Sequence, residues 1–241
     1  AAAARATACG CAKAAVSCCG LDEAAAALAP RLAALLALLD DADLDVRKEC
    51  LVALHATAHH HASLLAPHLA FATPRLTELA QLQLKRVVDL GPFKHTVDDG
   101  LPVRKAALAA LATLVAQRVA GVDCAVIVPA VAAACADKVA DVQLAGHQIL
   151  GGLCGHAPAA VLGASDSLLD PLDKAVNKKI KEGTAGEDRA YDLVRSALRA
   201  VIAVEKLPGG CAKASGILEK ARAKDKLRAE LEKIGETGSG Q

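Results

Sequence analysis

The chain has 241 residues, of which 54% are hydrophobic but only 1% aromatic, with neither Met nor Trp. Its 28 Lys and Arg offset 27 Asp and Glu for a formal charge of +1, which leaves no surplus of cations to hold a polynucleotide backbone. No stretch reaches the roughly eighteen uninterrupted apolar residues that a membrane helix requires, and the most apolar run, 24–39, contains Pro30 and Arg31.

An apolar core without aromatics has to be assembled from Ala, Leu and Val. Ala and Leu are strong helix formers, whereas a sheet protein would draw on Tyr, Phe, Ile and Thr; the chain reads as all-α. The first segment, 1–20, is rich in Ala and Cys and reads as an N-terminal helix or the remnant of a preceding repeat. Residues 1–19 carry Arg5 and Lys13 and no acid, as an organelle transit peptide would. The initial Ala1 and the absence of Met favour a piece of a longer chain instead. Nine cysteines, an odd number, sit mostly inside apolar helical patterns, which fits small hydrophobes in a reducing compartment better than a disulfide framework.

From 21 onward one amphipathic pattern recurs four times. The copies begin at Asp43, Gly100, Val139 and Tyr191, and each places a Val (Val46, Val103, Val142, Val194) before an Arg or Gln. Leu54, Leu111, Leu150 or Ile202 follows eight residues later, on the same helical face. Acids ahead of each copy, Asp43 and Asp45, Asp98 and Asp99, Asp137 and Asp141, Glu187 and Asp188, suit helix starts. Pro102 also fits a first turn, where its missing N–H costs little. Apolar stretches at 24–39, 64–79, 122–135 and 168–180 supply a partner helix for each. The intervals between the valines are 57, 39 and 52 residues (103 − 46, 142 − 103, 194 − 142). A unit near 40 belongs to HEAT or armadillo repeats rather than to tetratricopeptide or ankyrin arrays. The predicted fold is an all-α HEAT-repeat solenoid, a right-handed superhelix of antiparallel helix pairs, with repeats at 21–81 and 99–176 and capping helices at 190–234. A flexible tail is expected at 235–241.

The surplus over 39 is 18 residues in the first interval and 13 in the last. The shorter insertion, 177–189, is charged and Gly-containing and reads as a solvated connector, with a basic contact patch as its functional alternative. The longer one, 82–98, has a partly alternating run from Gln83 to Asp89, then Leu90-Gly91-Pro92, then the alternating Phe93-Lys94-His95-Thr96-Val97. Two such runs around a Gly-Pro turn signal predict an inserted β-hairpin. An isolated hairpin is marginal in water, so it has to pack on the array or complete itself against a partner. Lys85, Arg86 and Lys94 against Asp89 make it basic, which suits an acidic surface.

The run from Leu90 to Ala106, Leu-Gly-Pro-Phe-Lys-His-Thr-Val-Asp-Asp-Gly-Leu-Pro-Val-Arg-Lys-Ala, resembles the C-terminal region of the cullin-associated neddylation-dissociated proteins. Asp43-Leu-Asp-Val-Arg47, the His59-His60 pair before Ser63-Leu-Leu65, and Lys85-Arg-Val-Val-Asp-Leu90 extend the likeness, which covers about 21–203. The resemblance implies a regulator of cullin–RING ubiquitin ligases, cytoplasmic and nuclear. Its C-terminal repeats would bind the cullin N-terminal domain while the hairpin competes with the Skp-type adaptor and its F-box receptor, promoting receptor exchange. On that implication the protein-binding residues are Leu84, Arg86, Val88, Leu90, Gly91, Pro92, Phe93, Lys94, His95 and Val97. The Ala-rich core and the shorter 177–189 loop depart from the family pattern. A generic HEAT scaffold, of the phosphatase-scaffold or transport-receptor kind, is the alternative.

No catalytic, cofactor or metal site is expected. His55, His59, His60 and His61, and the cluster Cys9, Cys11, Cys18 and Cys19, lack the paired spacing of structural zinc. Neither a phosphate-binding G-x-x-x-x-G-K-[ST] loop nor a G-x-S-x-G elbow occurs, and Asp98-Asp99 reads as a helix cap rather than a carboxylate pair.

Overall fold

The computed structural model describes residues 1–89, 91, 94–181 and 183–238. The chain divides into two compact units, Ala1–Ala130 and Val131–Gln241.

The first unit holds α1 (Ala2–Cys18), α2 (Leu21–Leu28), α3 (Leu32–Leu36), α4 (Leu44–His60), α5 (Leu69–Leu79), the strands β1 (Lys85–Asp89) and β2 (Lys94–Asp98), and α6 (Leu101–Ala116). Helix α7 (Cys124–Cys135) runs over the boundary. The second unit holds α8 (Ala140–His156), α9 (Pro158–Gly163), α10 (Ser165–Val176), α11 (Glu187–Glu205), α12 (Ala212–Arg222) and α13 (Asp225–Gly238). The four copies of the repeated pattern are therefore α4, α6, α8 and α11.

All four pattern valines are buried, as are Leu54, Leu111 and Leu150. The fourth copy differs: Ile202 is only half-buried, and Val201 and Val204 fill the core in its place. Within the first unit α4 packs on α1 and α6, and α6 also packs on α5; within the second, α11 packs on α8, α10 and α12. Four alanines of α4 and α6 (Ala53, Ala58, Ala107, Ala110) are fully buried, so the cores close through small side chains.

The partner segments are less regular than the sequence pattern predicts. The 24–39 stretch is broken into α2, α3 and two 3-10 turns, the first of which contains Pro30, whose ring and missing N–H interrupt the helical ladder. At 64–79 two 3-10 turns, one holding Pro67, precede α5. Helix α10 ends at Val176, where the Asn177 side chain donates to the Asp173 carbonyl at 2.9 Å.

Cys9, Cys50 and Cys135 are buried among apolar side chains, and burial pushes the Cys135 thiol up to about 12. The buried His147 on α8 has its Nδ1 3.2 Å from Ser196 Oγ on α11, and burial lowers its pKa to about 4. A histidine that stays neutral in the fold and protonates when unfolded makes stability fall with pH, between the unfolded value near 6.5 and the folded one.

Two outcomes follow for stability. Leu111→Ala removes a fully buried side chain from α6 and should lower the unfolding free energy by about 3 kcal/mol, measured by urea titration. The urea midpoint of the wild-type chain should drop as pH falls from neutral towards the folded value of His147, and His147→Gln should flatten that drop.

Candidate protein-binding surface

Three of the repeats enter their pattern helix through the same local device. Asp41, Asp98 and Asp137 each accept, through Oδ1, the backbone N–H two residues on, from Asp43 at 2.9 Å, Gly100 at 3.1 Å and Val139 at 2.8 Å. These are Asx turns, in which a short carboxylate substitutes for a backbone acceptor at a corner. Six residues after each Asp stands the Arg or Gln of the repeated pattern, which reaches back to it. Arg47 donates to the Asp41 carbonyl, Gln143 to the Asp137 carbonyl at 2.7 Å, and Arg104 Nη1 to the Asp98 carboxylate at 3.0 Å. Asp98 and Asp137 thus act one corner earlier than the helix caps expected from sequence; Asp43 alone of these caps its helix, accepting from the N–H groups of Asp45 and Val46.

In the second copy this device carries the hairpin. Arg104 Nη1 also donates to the Leu82 carbonyl at 2.7 Å, so one guanidinium joins the first residue of the insertion to its last. The Asp98 carboxylate accepts the Leu84 N–H at 3.0 Å, and the Asp99 N–H donates to the Leu84 carbonyl at 2.9 Å. Gly100 is required here: a Cβ would lie 2.9 Å from the Leu82 carbonyl oxygen. Arg104 is only 3% exposed. Burial works to raise the Asp98 pKa, but the amide of Leu84, the Arg104 guanidinium and the amide of Gly100 outweigh it and hold the carboxyl below its usual value. Arg86 pairs with Asp99 at 2.5 Å in a more exposed setting, where such a pair contributes little.

Above that base the strands pair antiparallel, with Lys85 opposite Asp98, Val87 opposite Thr96 and Asp89 opposite Lys94. The connection is four residues, 90–93, and Gly91 in it has φ +81, a left-handed conformation suited to glycine. Its N–H donates to Asp89 Oδ1 at 3.1 Å. Of the expected site residues, Leu90, Pro92 and Phe93 lie outside the described residues. Arg86 and Val88 share one face with their partners Val97 and His95, and Val88 and Val97 are half-buried there. The opposite face, with Lys85, Val87 and Thr96, is open, and Val87 is 65% exposed. Leu84 is 40% exposed at the root of β1, and Lys94 and His95 are exposed along β2.

Sequence reasoning missed Val87, Asp98 and Arg104. Two adjacent valines cannot share a strand face, so Val87 had to point away from Val88. The Asp-x5-Arg/Gln spacing at 41–47, 98–104 and 137–143 was a signal for the base.

Several histidines of and after α4 make structural contacts. His55 Nδ1 lies 2.9 Å from Thr113 Oγ1 and so links α4 to α6, and His61 Nε2 lies 3.2 Å from the Cys19 carbonyl. The His59 and His60 rings meet edge to face at 4.8 Å. Among the described residues, no three His, Cys, Asp or Glu side chains are grouped to hold a metal, and no helix is long and apolar enough to cross a membrane.

Residues 64–221 match the family model described as TATA-binding protein interacting (TIP20). The chain is 37% identical over 185 residues to cullin-associated NEDD8-dissociated protein 1 of Arabidopsis thaliana, and 35% identical over 185 residues to the protein of that name from Dictyostelium discoideum. The chain belongs to this family. Each of those alignments covers 75% of this chain and 15% of the relative, so this member spans a small part of the relatives' length. A 75-residue segment is 40% identical to the Emericella nidulans cullin-associated NEDD8-dissociated protein 1, C-terminal part, covering 30% of this chain and 7% of that one. Its backbone is similar to a designed armadillo repeat protein in complex with a (KR)4 peptide, with TM-score 0.59 and 18% identity over 95% of this chain and 91% of that one. A computationally designed armadillo repeat protein for modular peptide recognition matches equally, at TM-score 0.59. At that identity the likeness concerns the armadillo and HEAT type of fold.

In this family member the hairpin's orientation should depend on its base. Arg104→Ala leaves the partly buried Asp98 carboxylate without its cation and should destabilise the first unit by about 3 kcal/mol, with hydrogen exchange of the β1 and β2 amides rising more than that of α4. The Asp98 contribution is complete above its unfolded value of about 3.8 and is lost as pH falls through the lower folded value. Hairpin protection should therefore weaken below about pH 4, and Asp98→Asn should remove that dependence.

Proposed function

We propose that this chain binds the N-terminal domain of a cullin and that its hairpin competes there with the Skp-type adaptor carrying an F-box receptor, so that it regulates cullin–RING ubiquitin ligase assembly. The observation that carries this reading is a basic hairpin, exposed along most of both strands, whose base is held by a buried guanidinium. Ordering this element before association lowers the entropic cost of docking, while Lys85 and Lys94 stay exposed towards an acidic surface. Relatives named as cullin-associated NEDD8-dissociated proteins support the identity of the partner. The role is one of binding, since family and fold are those of helical-repeat scaffolds.

The test is a competition assay with an unmodified cullin N-terminal domain and its labelled adaptor. Val87→Asp combined with Lys94→Glu places unfavourable charge on the open face of the hairpin, far from the helical cores. It should weaken adaptor displacement at least about tenfold while helical circular dichroism stays unchanged. Undiminished displacement would remove the hairpin from the mechanism and leave the generic HEAT-scaffold reading.

A further inference from the structure

The connection after α10 and the turn between α12 and α13 bring lysines together on the second unit. A hollow of about 440 Å³ is lined by Lys178 and Lys179 from the connection, by Lys224 from the turn and by Lys226 from the start of α13, with Ile180 and Val194 contributing apolar surface. Two smaller hollows, of about 230 Å³ and about 140 Å³, adjoin it through shared lining at Lys178, and they add Lys174 and Lys181 respectively. All six of these lysines are exposed.

Among the described residues the acids of this lining are fewer than the lysines: Asp225 lines the larger hollow and Glu187 one of the smaller ones. Asp225 pairs with Arg228 at 2.5 Å, the Glu187 carboxylate accepts the Gly183 N–H at 2.6 Å, and Asp173 accepts the Asn177 side-chain amide at 2.8 Å. Lys224 donates to the Asn177 side-chain carbonyl at 2.5 Å, a neutral partner that holds the ammonium in place without cancelling its charge. A cationic rim around an apolar floor is complementary to an extended peptide that alternates carboxylates with aliphatic side chains. The carboxylates meet the lysines at the rim, where pairing sets orientation and association rate. The aliphatic groups enter the hollows, where removal from water supplies affinity.

We infer that this lysine-rimmed furrow is a second protein-binding site, which takes an acidic, leucine- or valine-containing extended segment of a partner protein. A nucleic acid fits less well: bases require aromatic platforms, and Tyr191, the only tyrosine of the chain, is the one aromatic lining these hollows. The near-neutral total charge also provides little non-specific attraction for a polynucleotide. The furrow lies within the second unit and does not rest on the hairpin reading, so Val87→Asp combined with Lys94→Glu should leave it intact.

The test is fluorescence anisotropy on the full chain with a short fluorescein-labelled peptide of interleaved glutamates and leucines. The same peptide with glutamine for glutamate and a single-stranded oligouridine of similar length serve as comparisons. The acidic peptide should bind at low salt and weaken as salt rises. Lys178→Glu, Lys179→Glu and Lys224→Glu combined should weaken it about tenfold. The three corresponding arginine substitutions should retain binding, and Ile180→Asp should weaken it with the rim intact, circular dichroism reporting the fold in each case. The proposal is overturned if charge reversal leaves affinity unchanged, if the glutamine peptide binds as well, or if oligouridine binds more tightly than the acidic peptide.

Discussion

The hairpin depends on one buried cation. Arg104 is held in the first turns of α6 by burial and reaches both the Leu82 carbonyl and the Asp98 carboxylate, which bracket the insertion. A two-stranded sheet of this size has too little apolar surface to hold a fixed orientation by itself. Tying its two ends through charged hydrogen bonds in a low-dielectric pocket gives it one, because such bonds are about twice as strong as neutral ones and tolerate little misalignment. Gly100 is part of the same constraint: the close approach of the Leu82 carbonyl needed to satisfy Arg104 excludes a Cβ.

That base is a specialised version of something the repeats do anyway. An Asp turns the chain into the helix, and an Arg or Gln six residues later returns to the Asp, at 41–47 and 137–143 as at 98–104. In the first and third copies the returning side chain satisfies a carbonyl of a short corner. In the second the corner has been opened to admit the seventeen residues from 82 to 98, and Nη1 of the guanidinium serves both ends of the opening. A glutamine amide also carries two donors on one nitrogen but has no charge to set against the Asp98 carboxylate, so it suits a plain corner rather than this one.

The Ala-rich cores set what else the chain can present. With almost no aromatic residues to bury, the helices approach closely through alanine and leucine, and the recognisable chemistry is left to the insertions. Both insertions carry lysine or arginine on segments that the cores do not cover, one on strands in the first unit and one on a connection in the second. Each joins cationic side chains to a few exposed or half-exposed aliphatic groups, a combination directed at protein surfaces rather than at phosphate backbones.

By itself the sequence determined the repeated helices, the HEAT-type period and the hairpin, because apolar spacing at 3.6 or 2 residues is a local property that burial then enforces. The motif between Leu90 and Ala106 also carried the family. Breaks in the partner helices at Pro30 and Pro67 were only partly legible, since proline shows where a ladder fails but not whether a 3-10 turn bridges the gap. Tertiary structure alone decided that Asp98 serves the hairpin rather than capping α6, that Val87 rather than Val88 faces solvent, and that Lys178 and Lys179 meet Lys224 and Lys226, about 45 residues on, around one furrow. Each of these depends on which distant backbone or side chain closes on the residue in question, and no periodicity along the chain encodes that proximity.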